Sequence, residues 1–228
     1  MGLFQSLFEP AVEYLFPAYC IHCKAQSRVD GYLCGECFLL AFPLGQGLTR
    51  PEANIVCLHR LNPVVRSLIH GLKYSGMKGV AEYLCQNREI PLGTFPQSRF
   101  WIPVPVHGAR LRERGYNQAE LISKALQVSQ GGRIYSGILR RKKYATSQTR
   151  LDAGERSVNT VAAFTARGPV PPSVILVDDV FTTGATTASC ESALKRAGVE
   201  TVLICTLAYE PRSNGRDDWL LDRSAGMA

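Results

Sequence analysis

The stretch Val174-Ile175-Leu176-Val177-Asp178-Asp179-Val180-Phe181-Thr182-Thr183-Gly184-Ala185-Thr186-Thr187 fixes how the rest of the chain is read. Its first four residues are apolar and rich in β-branched side chains. Such a run has no polar face, so it suits a strand covered on both sides, as in parallel sheets. The strand is expected to end in two carboxylates, Asp178 and Asp179. A hydroxyl-rich bend around Gly184 follows, then a helix from about Thr186 to Ala197, closed by Gly198. In open α/β sheets ligands collect beyond the carboxyl ends of the strands. Unpaired N–H groups at a helix start attract a phosphate, and the helix dipole adds to that attraction. Gly184 lets backbone approach a ligand closely, and the hydroxyls of Thr182, Thr183 and Thr186 add donors. Adjacent carboxylates can accept hydrogen bonds from two neighbouring sugar hydroxyls and offer oxygen ligands to a hard cation. The segment reads as a grip for a ribose 5-phosphate. It lacks the Gly-Lys-Ser/Thr of a Walker loop and the Gly-x-Gly of a dinucleotide fingerprint.

Outward from this stretch the pattern stays α/β. Val202 to Ala208 is the next buried strand, and a strand-loop-helix-strand succession implies a parallel sheet. Trp101-Ile102-Pro103-Val104-Pro105-Val106 begins as a strand, and its prolines turn the second half into loop. Asn117-x-x-Glu120 is a capping box for a helix through about Val128, with Leu121, Ile122, Ala125 and Leu126 facing inward. Asn62-Pro63 opens another helix, whose dry stripe is Val64, Val65, Leu68, Ile69 and Leu72, and Gly76 marks its end. A short helix is expected from about Gly79 to Asn87. Residues 41–58, with Pro43, Gly45, Gly47 and Pro51, read as loop or linker.

The N-terminal part carries a different chemistry. Cys20-Ile21-His22-Cys23 is separated by ten residues from Cys34-Gly35-Glu36-Cys37. Two Cys-x-x-Cys knuckles can close a tetrahedron of four thiolates around zinc. A piece this short builds no core of its own, which gives the metal a folding role. The segment reads as a hairpin clipped by zinc through Cys20, Cys23, Cys34 and Cys37. A redox pair of dithiols is the competing reading, and His22 could replace one thiol. Residues 1–16 place apolar side chains at helical spacing, and Glu9 and Glu13 within them argue against an export signal.

The chain has 228 residues, of which 46% are apolar and 20% charged, a composition that can bury a core. The expected division is an N-terminal helix and four-cysteine module over 1–50, an α/β domain over 51–211 and a polar tail over 212–228. Lys and Arg outnumber Asp and Glu by 26 to 19, a formal charge of +7 that favours anionic partners. Of eight cysteines, four fall in the one window at 20–37 and four are scattered. That suits a reducing compartment with one metal site, hence the cytoplasm. No uninterrupted apolar run reaches the ~18 residues of a membrane span.

The 174–187 stretch resembles the PRPP-binding motif of type I phosphoribosyltransferases: apolar strand, Asp-Asp, two residues, Thr-Thr-Gly-x-Thr. Further motifs are similar to those of the ComF (competence protein F) family. They include Pro103-Val-Pro-Val-His107, Arg110-Leu-Arg-Glu-Arg114-Gly-Tyr-Asn117-Gln118-Ala-Glu120, Arg140-Arg141 through Gln148, and Arg156 with Asn159 and Phe164. The four-cysteine module is typical of that family too. The resemblance implies a parallel-sheet type I phosphoribosyltransferase fold behind a zinc module, binding PRPP with magnesium. It implies ribose hydroxyls on Asp178 and Asp179, and the 5′-phosphate on Thr182, Thr183, Gly184, Ala185 and Thr186. Pyrophosphate would lie near the loop after the 101–106 strand, with Arg110, Arg112 or Arg114 as charge partner. A mobile hood would fall within 140–164, bringing Arg156 to the leaving group. Lys73 is a further phosphate candidate, although a helix-end lysine is commonly just solvated. The family's association with DNA uptake implies single-stranded DNA and a competence helicase as partners. Whether the chain transfers a phosphoribosyl group or only binds PRPP stays open at this level.

Overall fold

The computed structural model describes residues 19–26, 31–43, 48–50, 54–86, 90, 95–96, 99–141 and 163–210. The expected helix over 1–16, the tail over 212–228, Arg156 and most of the expected hood lie outside the described residues. Eight strands are described: β1 (Leu48–Arg50), β2 (Ile55–Arg60), β3 (Phe100–Pro103), β4 (Arg133–Ile134), β5 (Leu139–Arg141), β6 (Phe164–Ala166), β7 (Ser173–Phe181) and β8 (Thr201–Tyr209). The described helices are α1 (Gly35–Ala41), α2 (Pro63–Tyr74), α3 (Val80–Gln86), α4 (Gly108–Arg114), α5 (Gln118–Gln130) and α6 (Ala185–Arg196).

Six strands form one sheet in the order β1-β2-β8-β7-β3-β4, and β5 pairs with β6 in a separate antiparallel ribbon. The main sheet is parallel except for β1, which runs against β2. The unbroken apolar run of β7 is explained by cover on both faces. Ile175 and Val177 enter a core shared with Leu68 and Leu72 of α2, Leu84 of α3 and Ile122 and Leu126 of α5. Val174 and Leu176 point the other way, into a core with Cys190, Ala193 and Leu194 of α6. Alternation along a strand sends successive side chains to opposite faces, and each fully buried aliphatic side chain contributes roughly 1.5–3 kcal/mol.

The connections diverge at the centre of the sheet. From β3 the chain passes through α4 and α5 to β4 on one side. From β7 it passes through α6 to β8 on the other. A crevice opens where the strand order reverses in this way. The β3–β7 ladder runs from Trp101 opposite Ile175 to Pro103 opposite Val177, and its last bond is from Val104 N–H to the Val177 carbonyl at 2.9 Å. β7 itself goes on to Phe181, paired only with β8 on that stretch.

Two expectations are corrected here. The strand does not end at Asp178 and Asp179; it runs on to Phe181, because β8 continues to pair with β7 as far as Tyr209 opposite Phe181. Residues 41–58 are not all linker. The Ile55–His59 run is largely buried as β2, and β1 adds to its edge, so the sheet begins before residue 51. The glycines and prolines around that run obscured it.

The four-cysteine segment is also only half a hairpin. Tyr19 bridges Gln26 in antiparallel fashion around the first knuckle, whereas Cys34 is the N-cap of α1, so the second knuckle opens a helix. Cys20, Leu33, Cys37, Ala41 and Phe42 share one core with α2 and α3. Tyr83 of α3 makes edge contacts with Tyr32 and Phe42, with ring centres 5.3 and 5.8 Å apart. Among the described residues no helix is long and apolar enough to cross a membrane.

Candidate functional site

The crevice between β3 and β7 is a cleft of about 450 Å³. Of the residues expected from sequence, Asp178, Asp179, Thr186, Arg110 and Arg114 line it; Arg112, on the same short helix, does not. Thr182 and Thr183, in the bend beside it, and Ala185, the first residue of α6, are exposed. Lys73, His107, Gln118 and Arg141 complete the polar lining, with Val104, Pro105 and Val106 forming one wall.

The backbone behind the acidic pair has a specific shape. Gly184 is the N-cap of α6 with φ +77°, the left-handed region that an L side chain adopts reluctantly. A Cβ there would lie 2.9 Å from the Phe181 ring. Glycine offers no capping side chain, and α6 has no side-chain cap at that position. The Thr183 hydroxyl accepts weakly from Ala185 N–H at 3.4 Å, and the Thr187 hydroxyl donates to the Gly184 carbonyl at 2.9 Å. The first turn of α6 therefore presents N–H groups beside the cleft.

The two carboxylates differ in their partners. Asp179, 8% exposed, forms an ion pair with Lys73 of α2, Nζ to Oδ1 2.9 Å. Asp178 accepts from Asp179 N–H at 2.9 Å. Burial and then the charge of Asp179 push the Asp178 carboxyl up to about 7, against the opposing pull of that N–H, Lys73 and Arg141. Lys73, a phosphate candidate in the sequence, thus reaches into the cleft, where it meets a carboxylate. Only the meeting of α2 with β7 reveals this, and no local pattern around residue 73 encodes it.

The opposite wall is held by α4, an element absent from the sequence-based expectation. His107 caps it, Nδ1 accepting from Ala109 N–H at 3.2 Å, and Gly115 ends it with φ +77°. Arg114 donates to the Gln118 side chain at 3.1 Å, and its guanidinium lies 4.9 Å from the centre of the Tyr74 ring. Its Nε is buried without a partner among the described residues. Asn117 caps α5 by accepting from Ala119 N–H and donates to the Val104 carbonyl at 3.0 Å, tying the wall to the helix. Arg141, at the start of the expected hood, lies over the Phe164 ring.

The cysteine cluster is a second constellation. The sulfurs of Cys20, Cys23, Cys34 and Cys37 all lie within 4.8 Å of one another, and Cys23 and Cys34 approach to 3.6 Å. Tetrahedral zinc with bonds of ~2.3 Å sets its sulfurs ~3.8 Å apart, so the donor set fits such an ion. Burial pushes the Cys20 thiol up, but hydrogen bonding from the backbone at Cys34, Cys23 and His22 outweighs it and brings the group to about 6. Amides aimed at sulfur suit a thiolate ligand. His22 is not held to the cluster: its Nδ1 is 2.9 Å from the Ser67 hydroxyl of α2. The cluster can hold a metal ion such as zinc.

No family model matches the chain. Among curated proteins it is 31% identical to DNA utilization protein YhgH of Escherichia coli O6:H1 over 203 residues, covering 82% of this chain and 88% of that protein. It is 29% identical to competence protein F of Haemophilus influenzae, covering 85% of each. Among solved structures it is similar to orotate phosphoribosyltransferase from Aeropyrum pernix, at 18% identity and a TM-score of 0.37 over 68% of this chain and 69% of that one.

Proposed function

Because the chain belongs to the family of DNA utilization protein YhgH and competence protein F, we propose that it is a PRPP-binding, phosphoribosyltransferase-type protein that serves DNA uptake. The observation that carries the reading is the placement of Asp178 and Asp179 where β3 leaves β7, beside the uncapped start of α6. The carboxylates take the ribose hydroxyls, and the first turn of α6 with Thr182, Thr183 and Thr186 takes the 5′-phosphate. The pyrophosphate lies toward the 104–107 wall, where Arg110 and Arg114 face it. Carboxylate oxygens are suitable donors for magnesium, which supplies charge neutralisation at the leaving pyrophosphate. Zinc in the four-cysteine site has a structural role and takes no part in this chemistry.

In a transferase, an incoming nucleophile displaces pyrophosphate from ribose C1, and positive charge builds on the sugar while negative charge builds on the leaving group. The arginines of α4 stabilise the latter where it develops, and Asp178 and Asp179 hold the sugar in line. A second reading is that the cleft binds PRPP without turnover and the chain handles single-stranded DNA. It is favoured by the formal charge of +7, which suits an anionic polymer.

Titration calorimetry of the full chain with PRPP and magnesium tests the cleft. Heat should appear for the wild type and vanish for the Asp178→Asn/Asp179→Asn variant; a wild type without heat sinks the reading. Pyrophosphate release with a panel of nucleobases then marks a transferase. Single-stranded DNA binding that weakens steeply with salt, without such release, marks the binding module.

A further inference from the structure

Among the described residues the cleft is lined by four cationic side chains, Lys73, Arg110, Arg114 and Arg141, against two carboxylates, a net of +2 with histidine neutral. One of the four is not free to meet a ligand as it stands. Lys73 is spent on Asp179 at 2.9 Å, and both groups are shielded, at 23% and 8% exposure. Lys73 lies in the last turn of α2, and Tyr74, which ends the helix, carries the Arg114 guanidinium over its ring. The ammonium is thus held on the acidic strand, in the same cleft that Arg110 and Arg114 of α4 line. An ammonium on a flexible four-carbon stem can move from one to the other without backbone change.

We propose that Lys73 is an exchangeable counter-ion: it occupies Asp179 in the unliganded cleft and transfers to the ligand's anionic, diphosphate end when a divalent cation takes over the carboxylate. This rests on the reading of the cleft as a PRPP site. The physical reason is charge balance. A buried carboxylate without a partner is costly, so Asp179 needs a cation in either state. A ligand that brings its own divalent ion makes the ammonium redundant there and useful beside the phosphates. The cleft then favours the metal–diphosphate pair over the metal alone, because a bare ion must displace Lys73 and gives the displaced ammonium nothing to bind.

Two measurements on the full chain with opposite expected signs test this: manganese binding alone, by electron paramagnetic resonance, and PRPP–magnesium binding, by calorimetry. Lys73→Met should bind bare manganese roughly tenfold more tightly and PRPP–magnesium roughly tenfold more weakly, the scale of one partly buried charge pair. Adding Asp179→Asn to it should abolish the manganese gain. If Lys73→Met does not fold, as judged by its melting curve, Lys73→Gln keeps a donor for Asp179 without the charge and should move both affinities the same ways. A wild type that binds no PRPP sinks both this proposal and the site reading. A wild type that binds it, with variants unchanged in both arms or weakened in both, overturns the role of Lys73 alone.

Discussion

Asp178 and Asp179 are adjacent in sequence, yet strand alternation gives them different surroundings: one is neutralised by Lys73, while the other is pushed up to about 7. For Asp178 the fold favours the protonated acid over the carboxylate. Its contribution to stability is therefore complete below about pH 4 and is lost as the pH rises through about 7. Asp178→Asn keeps an acceptor for Asp179 N–H and removes the charge. It should raise the unfolding free energy by ~2 kcal/mol at pH 8 and change it little at pH 4, as read by urea denaturation at the two pH values. An equal effect at both would mean that the carboxyl titrates normally. Gly184 is the other position where one atom matters. Gly184→Ala puts a Cβ in a left-handed conformation 2.9 Å from the Phe181 ring. It should cost ~2 kcal/mol, whereas Gly108→Ala, whose Cβ meets only Arg112 at 3.6 Å, should cost almost nothing.

At the scale of elements, what the sequence disclosed and what it hid have physical reasons. β7, α6, β8, α2 and α5 were legible because each is long, with a periodicity or cap that one window contains; Asn62 and Asn117 both act as the caps that their spacing implied. β4, β5 and α4 were not: β4 and β5 have two and three residues, too few to show a period, and α4 buries no side chain, so it carries no apolar stripe. β2 is apolar enough to be read, but Pro51 and the glycines before it dominate the surrounding composition. At the site, the acidic pair was legible as residue types at a strand end, and Arg110 and Arg114 came from the resemblance; Lys73 was named as a candidate, but its pairing with Asp179 was hidden because the two are more than a hundred residues apart in sequence.

For the whole molecule, the four-cysteine module and the α/β sheet share one apolar core, since Cys20, Cys37 and Phe42 pack with Leu68, Leu72 and Leu84. Loss of the metal should therefore be felt beyond the knuckles. Cys34→Ser should bind no zinc, as measured by elemental analysis, and should lower the melting temperature of the main transition seen by calorimetry rather than release a separate small one. Full zinc content in that variant would remove these thiols from the ligand set. The parting of β3 from β7 after Val177 has one more consequence. Among the described residues no main-chain bond beyond it links the proline-bearing wall to the acidic strand; the wall is fastened at Val104, by its N–H on Val177 and by Asn117 on its carbonyl. A shift of that wall would therefore leave every rung of the sheet intact, so widening the mouth should need no local melting.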